Sequence, residues 1–201
     1  GKFGRVASIM KVTHDISSFC PVARALDCVG DSWTLLILRD AMQGARRFDE
    51  FQRGLGIASS MLTRRLDRMV TNELFEKRCY QQHPPRYEYH LTAKGHDLAP
   101  VILMLYRWGE DHLPIEADGF HLVDRQTLDP VDPILYDRHH DRPLSPGDVR
   151  LAPGPDASPA VHARVERMQK AFDRGVSSSS QTAAAKASGQ LADAASDSIN
   201  D

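Results

Sequence analysis

The chain has 201 residues, of which 41% are hydrophobic and 26% charged, and its formal net charge is -2. These are the proportions of a soluble globular protein, long enough for one ordinary domain with extensions or for two small ones. They argue against an indiscriminate polyanion binder, because the chain as a whole is not basic, and no apolar run approaches the roughly 20 residues that a membrane helix needs.

Three cysteines, Cys20, Cys28 and Cys79, are too few and too scattered for a disulfide framework or a zinc ribbon. They suit a reducing cytosol, so the expected location is cytoplasmic. The first residues lack the basic start, apolar core and cleavage site of a secretory leader. Gly1 to Ile9, ahead of Met10, read as a vector or upstream-translation remnant, and residues 1–17 as an arm outside the fold.

The first helix is predicted after Cys20, with Pro21 suited to its first turn and Gly30 to its end. Val22, Leu26 and Val29 follow at steps of four and three and make a short amphipathic face. Asp31 or Ser32 can cap a second helix, Trp33 to Met42, which is apolar nearly all round and marks the centre of a small domain. Gly44 stops it. A third short helix covers Arg47 to Arg53, with Phe48 and Phe51 inward.

The turn Gly54-Leu55-Gly56-Ile57 leads into a fourth helix. There Leu62, Leu66 and Met69, with Val70 beside them, form one apolar stripe, while Ser60, Arg64, Asp67 and Arg68 point to the other side. Taken alone, this is either an ordinary solvated amphipathic helix or a recognition helix entered from a short polar turn. The residues after it favour a recognition helix. Glu76 to Tyr80 and Tyr87 to Leu91 are partly alternating, aromatic-bearing runs joined at Pro84-Pro85, and they read as a β-hairpin. Three helices, a turn and helix, then a hairpin make a winged helix. From Arg39 to Lys94 there are eleven Lys/Arg against seven Asp/Glu, a local basic excess that matters only if the fold gathers it on one face.

Thr92 is expected to cap the next helix, with a kink or fresh start at Pro100. Leu98, Val101, Ile102, Leu105 and Trp108 then form a broad apolar face. Its two destinations are a partner subunit and the chain's own first helix. From Gly119 the runs Phe120 to Arg125, Val131 to Asp137 and Asp148 to Leu151 look strand-like, too short to hold a large core alone. Val161, Val165, Met168 and Phe172 mark an amphipathic helix after Pro159, and the Ser- and Ala-rich remainder lacks apolar periodicity.

As a set and in this order, several motifs resemble the HxlR-type winged helix-turn-helix transcriptional regulators. They are Cys20-Pro21-Val22, Trp33 to Asp40, Arg47 to Glu50, Met61-Leu62-Thr63 with Arg65-Leu66, Pro85 to Tyr89, and Leu91 to Gly95. The resemblance runs from Ser18 to Leu113. It implies a homodimer whose first and last domain helices meet at the two-fold axis, through Val22, Leu26, Leu98, Val101, Ile102, Leu105 and Trp108. Its two recognition helices would enter successive major grooves of a pseudo-palindromic operator in double-stranded DNA.

The candidate groove contacts are Ser59, Ser60, Thr63 and Arg64, because hydroxyls and guanidinium groups can reach base edges or phosphates. Arg68, further along, is expected on a phosphate. Arg65 lies beside the apolar stripe, with pairing to Asp49 or Glu50 as the alternative. On the wing, Lys77, Arg78, His83 and Arg86 either follow the backbone or decorate a solvated hairpin. Members of the family usually carry a hydroxyl residue where Ala58 stands. Either Ser59 takes over the cap or the first turn goes without one.

The resemblance also makes Cys20 a candidate thiol sensor of an oxidant or electrophile. A helix N-terminus favours thiolate, although a half-buried cysteine at a dimer seam often only packs. The later segment resembles the zinc-ribbon-like tail of some relatives without its paired cysteines. His121, His139 and His140 do not replace them at metal-ligand spacing, so a metal-free β-ribbon is expected.

The resulting fold class is mainly α with a β-hairpin wing (α+β), a winged helix-turn-helix domain plus a small C-terminal β-ribbon and helix. Its segments are an arm at 1–17, the DNA-binding and dimerisation domain at 18–115, a β-rich appendage at 116–155, a helix at 156–175 and a disordered tail at 176–201. No cofactor is expected, and no enzyme, since nothing assembles a nucleophile with a base or a phosphate-binding glycine loop. A small-molecule or oxidant effector is a candidate partner. The alternative function is a thiol or ligand sensor and protein-interaction module in which DNA binding is secondary.

Overall fold

The computed structural model describes residues 19–113 and 119–174. The expected arm at 1–17 lies outside them, as does the expected tail at 176–201. The chain divides into two compact units between Pro143 and Leu144.

The first unit opens with α1 (Pro21–Val29), begun by its proline and ended at Gly30, whose N–H donates to the Leu26 carbonyl at 2.7 Å. Asp31 caps α2 (Ser32–Met42) by accepting from the Thr34 N–H at 3.0 Å. Ile37, Leu38 and Thr34 of α2 are buried. At the start of α3 (Phe48–Leu55), the Glu50 carboxylate reaches back to the N–H groups of Arg46 and Arg47, at 2.8 and 2.9 Å. These two backbone donors hold its pKa below the ordinary glutamate range. The helix runs two residues beyond the expected Arg53 and is closed by Gly56 in the left-handed region, φ 60°, a conformation that only glycine adopts without strain.

The fourth helix, α4 (Ser59–Thr71), buries Leu62, Leu66 and Met69 along the predicted stripe. Ile57, read from sequence only as part of a turn, is itself core, at 3% exposure. Strands β1 (Phe75–Gln81) and β2 (Arg86–Leu91) pair antiparallel, Phe75 opposite Leu91 and Lys77 opposite Tyr89. Phe51, Phe75 and Tyr89 stack in sequence across the floor of the domain, with ring centroids 6.2 and 6.3 Å apart. This T-shaped and tilted packing suits aromatic quadrupoles. The wing is also stitched to the entry of α3, because the Tyr89 N–H donates to the Arg46 carbonyl at 2.8 Å.

Thr92 caps the short α5 (Ala93–His96), its hydroxyl oxygen accepting from the Gly95 N–H at 3.1 Å. The chain then restarts at α6 (Ala99–His112), the fresh start that Pro100 predicted. Leu98 and Ile102 pack against the core. Val101, Leu105 and Trp108 are 46, 47 and 54% exposed.

Beyond residue 119 the β content is smaller than the strand-like runs suggested. Among the described residues it comprises a single bridge between Val123 and Pro130 and the two-residue ladder β3 (Tyr136–Asp137) with β4 (Arg142–Pro143). Prolines 130, 133 and 143 remove ladder donors there, which stops the runs from zipping into longer strands. In the second unit, Pro146–Asp148 is one 3-10 turn, although the sequence predicts an extended run from Asp148 to Leu151. A helix, α7, spans residues 159–174. Its Val165, Met168 and Phe172, on one face as the spacing predicted, share a shallow cavity of about 390 Å³ with Val149 and Leu151.

Candidate nucleic-acid interface

The helix α4 turns its apolar stripe to the core, with Arg65 buried beside it, and leaves the opposite face of its first turns outward. Ser59, Ser60, Thr63 and Arg64 are all exposed, on one side of its first two turns. Residues at steps of three and four share a helix face, so Ser60, Thr63 and Arg64 stand together.

The first turn of α4 resolves the question left by Ala58. Ala58 occupies the N-cap position, with no side-chain cap, and Ser59 is already helical. The Ser59 hydroxyl oxygen instead accepts from the Gln52 side chain at 2.7 Å, tying α4 across the turn to α3. The Thr63 hydroxyl donates to the Ser59 carbonyl at 2.9 Å and keeps its acceptor lone pairs outward. Arg64 leans on the Met61 sulfur at 3.2 Å.

The two other arginines of α4 have partners within the domain. Arg65 does not meet Asp49 or Glu50. It is 6% exposed and pairs with Asp31, Nε to Oδ1 at 3.2 Å, an ion pair off-axis for a hydrogen bond. Asp49 pairs with Arg53, while Glu50 caps α3, so neither is offered to Arg65. Arg68, expected on a phosphate, is half-buried and donates to the Asp27 carbonyl at 2.5 Å.

On the wing, Lys77, Arg78, His83 and Arg86 are exposed. Strand alternation sends Lys77 to the aromatic side, where its ammonium lies 4.5 Å from the centre of the Tyr87 ring. Arg78 meets Glu76 at 2.7 Å, and this partner holds the Glu76 carboxyl below its ordinary range. Arg47 was not singled out from sequence. It lies 4.6 Å from the Tyr80 ring centre and binds Glu88 at 3.0 Å, fastening the wing to α3. That contact, followed by His90, depresses the Glu88 pKa. The only sequence hint was the pairing of an Arg-Phe helix start with a Tyr-Glu-Tyr strand, which does not by itself specify contact.

Cys20 is the N-cap of α1 and half-buried. Val22 and Leu26 on the same helix are 67 and 52% exposed, although Ala23 and Val29 are buried. A separate cavity of about 680 Å³ opens between α2, α6 and residues 120–122. Its lining includes Leu36, Ile102, Leu103, Phe120 and Leu122, with Arg39, Tyr106 and His121 as polar members. Arg39 is committed to Asp40 at 2.8 Å, and His121 to Glu110 at 3.3 Å. His140 pairs with Asp137, and among the described residues no group of three or more His, Cys, Asp or Glu side chains is placed to hold a metal ion. Nor is any described helix long and apolar enough to cross a membrane.

Residues 28–117 match the family model described as HxlR-like helix-turn-helix. The uncharacterized HTH-type transcriptional regulator Rv3095 of Mycobacterium tuberculosis is 40% identical over 135 residues, which cover 67% of this chain and 85% of that protein. Two solved structures, both described as candidate transcription factors, are also similar. PA1607 shares 35% identity at a TM-score of 0.62, over 68% of this chain and 96% of the other. PA1374 from Pseudomonas aeruginosa shares 41% identity at a TM-score of 0.54, over 72% and 99%. The 135 aligned residues are more than the family model matches, so the likeness to Rv3095 extends beyond the winged domain.

Proposed function

The chain belongs to the HxlR-like helix-turn-helix family of transcriptional regulators, and on that premise we propose that it acts as a homodimer on a pseudo-palindromic operator. Residues 18–115 form the DNA-binding and dimerisation domain. Ser59, Ser60, Thr63 and Arg64 enter the major groove, and Lys77, Arg78, His83 and Arg86 run along the backbone. The observation that carries the reading is the division of α4 into a buried apolar stripe and an exposed face of hydroxyls and Arg64. Hydroxyls and a guanidinium are the groups that read base edges and phosphates. A homodimer is supported by the apolar residues left exposed on α1 and α6, namely Val22, Leu26, Val101, Leu105 and Trp108, with Leu98 and Ile102 at its margin.

Selection of bound fragments from random DNA tests this directly. The expected product is a pseudo-palindrome with half-site centres about 10–10.5 base pairs apart or a multiple of that, bound with an affinity that falls steeply with salt. A purified dimer that enriches no sequence would overturn it.

A second reading adds response to an effector to DNA binding. It draws on Cys20, half-buried as the N-cap of α1, and on the largely apolar cavity beside α2 and α6, whose volume suits a small molecule. Replacing Cys20 by Ser and measuring operator release under an oxidant or a quinone separates the two chemistries. Loss of the response identifies the thiol; an unchanged response leaves Cys20 a packing residue and turns attention to the cavity.

A further inference from the structure

Three polar side chains follow one another along a single side of α4 and just past its end: Arg65, Arg68 and Asn72. Their spacing of three and four residues keeps them in line. Each meets the junction between α1 and α2. Arg65 pairs with Asp31 at 3.2 Å, Arg68 donates to the Asp27 carbonyl at 2.5 Å, and the Asn72 amide donates to the Cys28 carbonyl at 3.3 Å.

The acceptors explain why these contacts belong together. A helix leaves its last four carbonyls without partners inside the helix. In α1 the Leu26 carbonyl is taken by Gly30, and the next two, of Asp27 and Cys28, are taken by α4. The Arg68 guanidinium also stands at the negative end of the α1 dipole. Asp31, the third point of contact, is at the same time the cap of α2. So α4 supplies the C-terminal cap of α1 and holds the N-terminal cap of α2 through Arg65. Few residues of α1 are buried, only Ala23 and Val29. For so lightly packed a helix, polar contacts at one end decide its direction.

We propose that this seam sets the angle between α1 and α4, making Arg68 and Asn72 positioning residues for half-site spacing rather than DNA contacts. The proposal rests on the homodimer reading, in which α1 lies at the two-fold axis and α4 in the groove. A rigid link between those two helices fixes how far apart the two reading heads stand, and therefore which spacer length the dimer accepts. Loss of the link frees each α4 to adjust. The dimer then tolerates spacers that the native protein rejects and binds the native spacer less tightly.

The two roles for Arg68 have different salt signatures. A phosphate contact releases counterions, and losing it from both subunits lowers the slope of log K against log salt by about 1.8. A positioning residue leaves that slope unchanged. The test uses the full chain, with Arg68→Met, which keeps the stem and loses the donor, and Asn72→Ala, which changes no charge. Each is titrated against the selected operator and against versions with the spacer altered by one base pair, at several salt concentrations. Hydrogen exchange of the α1 amides is followed without DNA.

The expected result is about tenfold faster exchange in α1 for both variants, weaker binding to the native spacer, near-equal binding to the altered ones and an unchanged salt slope. Arg68→Lys, which can still donate to a carbonyl, restores part of the spacing preference. A lowered slope with the spacing preference intact makes Arg68 a phosphate contact and overturns the proposal, as does unchanged exchange in α1. If Arg68→Met fails to fold, Asn72→Ala carries both measurements. A wild-type protein that selects no palindrome is a different failure, that of the homodimer reading.

Discussion

Asp31 combines two duties that substitution can separate. It caps α2, accepting from the Thr34 N–H at 3.0 Å and the Thr34 hydroxyl at 2.5 Å, and it pairs with Arg65. The side chains of Arg65 and Asp31 are only 8 and 15% exposed, so solvent screens the pair little. Asparagine caps a helix as well as aspartate, so Asp31→Asn keeps the first duty and removes the second. It leaves a buried guanidinium without its counter-charge, at a cost of about 3–5 kcal/mol. Asp31→Ala adds the loss of the cap, about 1 kcal/mol more. Since a domain of this size has a total stability of about 5–15 kcal/mol, either change brings it close to unfolding. Arg65→Met removes the stranded charge, so the double variant Asp31→Asn/Arg65→Met is expected to recover most of what Asp31→Asn loses. Urea unfolding of the wild type, the two single variants and the double variant, followed by the fluorescence of Trp33 on α2, closes the cycle. A coupling energy below about 0.5 kcal/mol, with the double variant no more stable than Asp31→Asn, would refute the claim that the pair is buried and mutually dependent.

Four further outcomes are expected. Gly56→Ala forces a side chain into φ 60° at the end of α3 and should lower stability by about 1–2 kcal/mol, read from the urea midpoint. Gly95→Ala should cost more than that, because its Cβ would collide with the Leu74 carbonyl oxygen, which is backbone and cannot swing away; a midpoint equal to wild type would contradict the packing at α5. The Glu88 pKa is depressed in the folded protein, so its tie to Arg47 stabilises above the unfolded-state pKa and is lost as pH falls through the lowered value. Glu88→Gln should therefore flatten the acid side of the stability profile and leave its shape near neutrality unchanged. Finally, Arg64→Ala should weaken operator binding by about 1–3 kcal/mol and relax preference at one base position if it reads a base; uniform weakening across sequences would assign it to the phosphates instead.

The order of elements was legible because each is written locally. Period, cap and stop are all near one another in sequence: Pro21 and Gly30 around α1, Thr92 before α5, Pro100 at the restart of α6. The apolar stripe of α4 was legible for the same reason. The polar partners were not. Whether Arg65 reaches Asp49, Glu50 or Asp31 depends on how α4 crosses α2, and charge pattern along the chain is silent on that crossing. Arg47 and Glu88 lie 41 residues apart, and so do Arg68 and Asp27. The extended runs after residue 119 misled in the opposite direction. Their alternation is genuine, but strands need neighbours with donors, and the prolines there remove several.

The turn into α4 shows how a missing local signal is replaced by distant ones. A capping hydroxyl at position 58 would have fixed the start of α4 by itself, and Ala58 cannot. Three other features hold the same four residues. Gly56 takes the left-handed conformation that ends α3, Ile57 is buried to 3% exposure in the core, and Gln52 grips the Ser59 hydroxyl at 2.7 Å. Only the glycine is a signal that sequence alone could assign. Ser59, although exposed, is held from α3, while the exposed side chains of Ser60, Thr63 and Arg64 are not tied across the turn. Because Gln52 rather than position 58 holds Ser59, restoring a capping hydroxyl with Ala58→Ser should stabilise the helix start by about 1 kcal/mol, read from the urea midpoint, without changing the sequence that selection from random DNA recovers.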